Sequence, residues 1–99
     1  MFVRIWRYDV ADDQQAEFER VYGPDGDWAR LFAASDGFMG TELYVRLGET
    51  GRYLTVDRFT SLAAWESFRA EQSRSYAELD LATERLRLTE DELGTGDDG

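Results

Sequence analysis

From Phe2 to Tyr8 the chain alternates: Val3 and Ile5 fall on one side, and Phe2, Arg4, Trp6 and Tyr8 on the other. A period of two predicts a β-strand. Asp12 follows as a helix N-cap with Gln15 three residues on, and Phe18, Val21 and Tyr22 then form an apolar stripe at helical spacing. Gly23-Pro24-Asp25-Gly26 interrupts that helix, because proline has no N–H for the ladder and paired glycines favour a loop. Asp27 caps a second helical piece carrying Trp28, Leu31 and Phe32, which Asp36-Gly37 ends.

The next alternation runs from Phe38 to Arg46, turns at Gly48-Glu49-Thr50-Gly51, and resumes from Arg52 to Phe59. That is a predicted β-hairpin. Thr60 or Ser61 caps a further helix reaching about Leu79, with Leu62, Trp65, Phe68, Arg69, Gln72, Tyr76 and Leu79 on one face. Residues 81–93 fit either more helix or a fourth, edge strand holding Leu86 and Leu88, and 94–99 read as a polar, glycine-rich, disordered tail. Residues 1–93 therefore form one expected α+β domain, an antiparallel sheet with the helices on one face.

Neither set of strand side chains is polar. The aliphatic set is Val3, Ile5, Met39, Leu43, Val45, Leu54 and Val56, and suits the face under the helices. The opposite set is Phe2, Arg4, Trp6, Tyr8, Phe38, Tyr44, Arg46, Tyr53 and Phe59, joined by Asp57. Aromatics mixed with arginine are the composition of a protein interface. The expectation is a homodimer packed sheet to sheet through this second set, the alternative being a monomer whose C-terminal segment folds over it.

Composition narrows the chemistry. Among 99 residues there are 3 Trp, 5 Tyr and 6 Phe, an aromatic load that points to an interface or a pocket. Cysteine and histidine are absent, as are asparagine and lysine, so all 11 basic residues are arginine. Thiolate metal sites, cysteine nucleophiles, imidazole bases and lysine Schiff bases are excluded, and no metal or cofactor is expected. The formal charge of −10 argues against nucleic acid or anionic lipid as a partner. With no apolar run long enough to span a membrane and no signal-peptide pattern at the start, a cytoplasmic location is the default expectation.

Three stretches carry a family resemblance: Gly37-Phe38-Met39-Gly40-Thr41-Glu42-Leu43 at the start of the second strand, Tyr53 through Ser61 across the third strand, and the loop Tyr22 through Trp28. Together with the element order they resemble the dimeric α/β-barrel superfamily in its ferredoxin-like form, and within it the antibiotic biosynthesis monooxygenase-like group. The resemblance covers Phe2 to about Leu88. It implies a dimer with a pocket between sheet and helices in each subunit. Some relatives oxidise polycyclic aromatic substrates without metal or flavin; others break down haem. Cofactor-free members lean on an asparagine, a tryptophan and an arginine, and this chain has no asparagine. Many relatives carry a histidine nine residues after the strand-end aromatic; counted from Phe59, that position is Phe68, so histidine-ligated haem cleavage is not expected.

Under this reading Trp28, Phe32, Trp65, Phe68 and Tyr76 wall a site for a small planar aromatic or polyketide-like molecule, with Arg69 and Gln72 as its polar groups and Arg69 placing an anionic oxygen. The same residues also read as plain core, with Arg69 snorkelling to water. Asp57 reads as an ion-pair partner for Arg4 or Arg46, and Asp25 and Asp27 as turn and cap residues, their spacing not matching a calcium loop. The two functional classes are a cofactor-independent monooxygenase and a non-catalytic binding or accessory homodimer on the same fold.

Overall fold

The computed structural model describes residues 1–97. Strand β1 (Phe2–Asp9) leads through a short 3-10 turn into α1 (Gln15–Tyr22) and α2 (Asp27–Phe32). The hairpin β2 (Phe38–Val45) and β3 (Arg52–Phe59) follows, then α3 (Leu62–Glu71), α4 (Ser73–Thr83) and β4 (Thr89–Asp97). The strands form one antiparallel sheet in the order β2-β3-β1-β4. This is the ferredoxin-like α+β arrangement, with the helices on one face.

Local chemistry explains the boundaries. The Ser61 hydroxyl accepts the Ala64 N–H at 3.0 Å and starts α3. Gln72, with φ −109° and ψ 22°, breaks the expected single long helix into α3 and α4. The β2–β3 turn needs Gly51 at φ +82°, where an added Cβ would lie 2.4 Å from the Val10 carbonyl oxygen. Residues 94–97, read from sequence as tail, continue β4 and pair with β1, Gly94 opposite Ile5 and Gly96 opposite Val3. The rest of that tail lies outside the described residues. Leu86 is not in the strand; it sits in the turn before it, 1% exposed.

The face assignment is the main correction. Phe2, Tyr8, Tyr53 and Phe59 are buried beneath the helices, and so are Arg4 and Asp57. They are core within one chain, not a sheet-to-sheet interface. The helices present rings, and rings meet rings: Phe18 stacks on Tyr22 at 4.2 Å and packs on Tyr8 and Tyr53 at 5.2 and 4.8 Å. Phe32 touches Phe38, Phe59, Trp65 and Phe68, all within 6.2 Å between centroids. Of the proposed interface set, Tyr44 and Arg46 are exposed and Trp6 is half-buried.

A β-bulge explains why β2 differs. Phe38 pairs with Phe59 and Gly40 with Arg58, so Met39 is the extra residue. Phe38 and Thr41 then share the helix side although their numbers differ in parity. Phe38 packs on Phe32, and Thr41 bonds Asp57. Leu43 is accordingly packed against the core as expected, whereas Met39 is 55% exposed. Val3, Ile5, Leu54 and Val56 line the middle of the uncovered face, with Ile5 directly opposite Val56.

Candidate functional site

A cavity of about 140 Å³ lies between the sheet and the helices. Its deep end is built by strand side chains that alternation directs toward the helices: Arg4, Thr41, Thr55 and Asp57, each no more than 7% exposed. Its walls are rings, among them Trp6, Tyr8, Trp28, Phe32 and Tyr76. The mouth is marked by its more exposed acids, Asp80 of α4 and Glu90 of β4.

The deep end holds a buried charge pair. Arg4 and Asp57 are direct cross-strand neighbours, with Nη1 to Oδ2 at 3.5 Å. The other Asp57 oxygen accepts a short bond from the Thr41 hydroxyl at 2.7 Å. The Arg4 guanidinium lies 4.1 Å over the Trp65 ring and 5.6 Å from that of Trp6. It donates to the Tyr76 hydroxyl at 3.4 Å. Burial raises the Asp57 carboxyl above its ordinary range, while the Thr41 bond and the Arg4 charge pull it back. Burial also raises the Tyr8 phenol, with Tyr22 adding to it and a bond to Thr55 opposing.

Arg87 clamps the mouth. It donates to the Tyr22 hydroxyl at 2.8 Å and to Asp80 at 2.9 Å, and its Nε lies 3.2 Å from Glu90. One side chain so ties α1, α4 and β4 together around the opening. Burial, with the nearby Asp80 charge, raises Glu90, and Arg87 opposes that. The indole N–H groups of Trp6 and Trp28 are buried on the cavity wall; that of Trp6 meets no acceptor among the described residues, and that of Trp28 has only the Tyr22 hydroxyl nearby.

Of the residues named from sequence, the structure brings Trp28, Phe32 and Tyr76 to this cavity. Trp65 stands behind it as the platform under Arg4. Phe68 is core at 2% exposure and, with Gln72, borders a different, shallow depression. Arg69 is exposed and lies 3.9 Å over the Tyr76 ring, pointing away from the role of anion holder. Thr41, Thr55, Asp80 and Glu90 were not singled out from sequence, whereas Arg4 and Asp57 were named as interface residues and as an ion pair, and the pair is found lining this cavity. The signal that could have moved the pair from interface to cavity is its setting: two charges on strand positions among aromatics are out of place unless paired and lining something. Among the described residues no cluster of acidic side chains is arranged to hold a metal ion, and no helix is long and apolar enough to cross a membrane.

Fold and cavity together define a ferredoxin-like α+β protein with an aromatic chamber under its helices. The antibiotic biosynthesis monooxygenase family model matches residues 1–77, and the chain belongs to that family. Similar solved structures agree on the fold. A single-residue variant of SnoaB, a cofactor-independent oxygenase from Streptomyces nogalater, superposes with a TM-score of 0.74 at 22% identity, over 97% of this chain and 90% of that one. A protein named for the antibiotic biosynthesis monooxygenases, from Deinococcus radiodurans, gives 0.73 at 14% identity, over 100% and 93%. One from Nitrosomonas europaea gives 0.68 at 11%, over 98% and 97%. No curated protein matches the sequence.

Proposed function

We propose that this protein binds a small planar aromatic molecule in the cavity under its helices, with Arg4 rather than Arg69 holding a ligand oxygen. The observation that carries the reading is the chamber itself: ring walls around one buried guanidinium, with only a few polar groups at its deep end. Its volume sets the size class. An apolar cavity of about 150 Å³ takes one benzene ring, so about 140 Å³ accepts one ring, and a multi-ring, polyketide-like molecule requires the mouth to open. The activity is that of a cofactor-independent monooxygenase, the ligand itself supplying electrons to O₂, as the oxygenase name of the SnoaB relative suggests.

The working form is a homodimer joined through the open sheet face. Val3, Ile5, Leu54 and Val56 form an apolar strip there, and Gly94 and Gly96 beside it leave bare backbone for close approach. A second reading, a binding or accessory dimer without turnover, is favoured by the sequence, which has no His, Asn, Cys or Lys to serve catalysis.

Native mass spectrometry of freshly purified protein, followed by oxygen-consumption assays with the retained molecule, tests the proposal. A dimer carrying one aromatic molecule per subunit, consuming O₂ at a rate that falls on Arg4→Lys, supports it. Retention without O₂ uptake selects the second reading. Protein that retains no ligand and binds none of a panel of one- and two-ring phenols contradicts both.

A further inference from the structure

The Arg4–Asp57 pair is poorly made for a structural ion pair. Both groups are buried, so both lose hydration, yet their closest approach is 3.5 Å and Arg4's bond to Tyr76 is 3.4 Å. Charged pairs that serve stability close to about 2.7–2.9 Å. Here the guanidinium keeps donor capacity, and Asp57 keeps an oxygen, Oδ2, whose closest cation is that distant guanidinium. Both border the cavity. Thr41 fixes the carboxylate through Oδ1 alone, which orients the other oxygen without consuming it.

A donor and an acceptor side by side at the deep end of a one-ring chamber complement one group well: a hydroxyl on an aromatic ring. Its oxygen accepts from Arg4, and its proton faces Asp57. We propose that Asp57 is the proton acceptor for a ring-borne hydroxyl whose oxygen Arg4 holds. The proposal rests on the reading that this cavity is the ligand site. In the step, the ligand O–H bond breaks, an O–H bond forms at Asp57 Oδ2, and the electron pair stays on the ring oxygen beside the guanidinium. Negative charge thus moves from the carboxylate to the ring, and the net charge of the chamber is unchanged.

The surroundings favour that direction. Burial raises Asp57's affinity for a proton. The groups facing it are Arg4 and Tyr8 from β1 and Thr41 from β2, with Tyr76 of α4 bonded to Arg4. At the mouth, Asp80 and Glu90 place negative charge where the ligand enters, which favours admission of the neutral phenol over its anion.

The test uses para-nitrophenol, which turns yellow on ionisation, and para-nitroanisole, which matches its shape but has no proton to give. Absorbance is followed while each is titrated with the full chain, at a pH where free nitrophenol is colourless. The expected result is a yellow bound nitrophenol, bound at least about tenfold more tightly than the anisole. In Asp57→Asn the chamber has no proton acceptor, so a phenol that ionises beside Arg4 must shed its proton to solvent, and about one proton per bound ligand should appear in weakly buffered solution where wild type releases none. Thr41→Val, which removes a bond that stabilises the Asp57 carboxylate, should give the yellow form at lower pH than wild type. A colourless phenol bound to wild type, or a yellow one that releases as many protons from wild type as from Asp57→Asn, overturns the proposal while leaving the cavity reading intact. If neither compound binds, the cavity reading fails and the proposal with it. Should Asp57→Asn not fold, the wild-type colour and the Thr41→Val shift still decide.

Discussion

If Arg4 and Asp57 are kept for a ligand, removing both should harm the fold less than removing Arg4 alone. Arg4→Met leaves a buried carboxylate without its cation. Breaking a buried pair costs about 3–5 kcal/mol. The 3.5 Å contact and the surviving Thr41 bond put this case at the low end, about 3 kcal/mol. For a domain of this size that lowers Tm by about 12–24 °C. Asp57→Asn keeps a Thr41 partner and leaves Arg4 with Tyr76 and the Trp65 face, so about 2 kcal/mol is expected. The double variant has no buried charge at the deep end. It should be more stable than Arg4→Met alone, with a coupling of about 3 kcal/mol relative to the sum of the singles, which leaves a loss of about 2 kcal/mol. Urea denaturation followed by tryptophan fluorescence measures all four proteins. Losses that simply add would refute the reasoning, since the two groups would then not sense one another.

Further outcomes follow from the same geometry. Because the folded-state affinity of Asp57 for a proton is raised, the native state binds that proton at higher pH than the unfolded chain does. Its contribution to stability therefore falls as pH rises from the unfolded carboxylate range through the folded value, and Asp57→Asn should flatten that part of a stability–pH curve. Phe32→Ala removes the ring shared by β2, β3 and α3 and should cost about 3–5 kcal/mol by denaturant titration. Gly51→Ala forces a side chain onto the Val10 carbonyl at positive φ, so a loss above about 1 kcal/mol is expected, visible as a lower Tm. Leu54→Arg on the open face should give a folded monomer by light scattering, whereas a dimer of unchanged strength would remove that face as the interface.

Element order, the Ser61 cap and the hairpin were legible because they depend on local chemistry, whereas Asp12 lies inside the 3-10 turn and Asp27 in the first turn of α2, and neither side chain caps a helix. Ser61, the Gly23-Pro24 break and the β2–β3 turn each act within a few residues. Which strand face meets the helices was not legible from the strands alone, since both sets of side chains are apolar enough to bury. The deciding signal lay elsewhere: Phe18, Tyr22, Trp28, Phe32 and Phe68 make the helix stripes aromatic, and rings of comparable size fill the space between layers. The Met39 bulge hid the parity of β2, and no pattern of period two can reveal an extra residue. The C-terminal strand was left open against helix and placed too early, on Leu86 and Leu88, because its residues are polar and glycine-rich and its pairing with β1 comes from backbone bonds and ion pairs such as Arg7–Asp91 at 2.8 Å. Three of the residues named as walls, Trp28, Phe32 and Tyr76, line the cavity, while its buried polar groups stand on β1, β2 and β3 and not on the helix where the sequence reading placed them.

The most direct test of the account is where a ligand lands. Nitrogen-labelled protein titrated with para-nitrophenol and followed by NMR reports this residue by residue. The account predicts saturable shifts of the Trp6 and Trp28 indole N–H signals and of the Arg4 side chain, with the Val3, Ile5, Leu54 and Val56 amides little changed. Shifts confined to the open sheet face, or none at all, would contradict it.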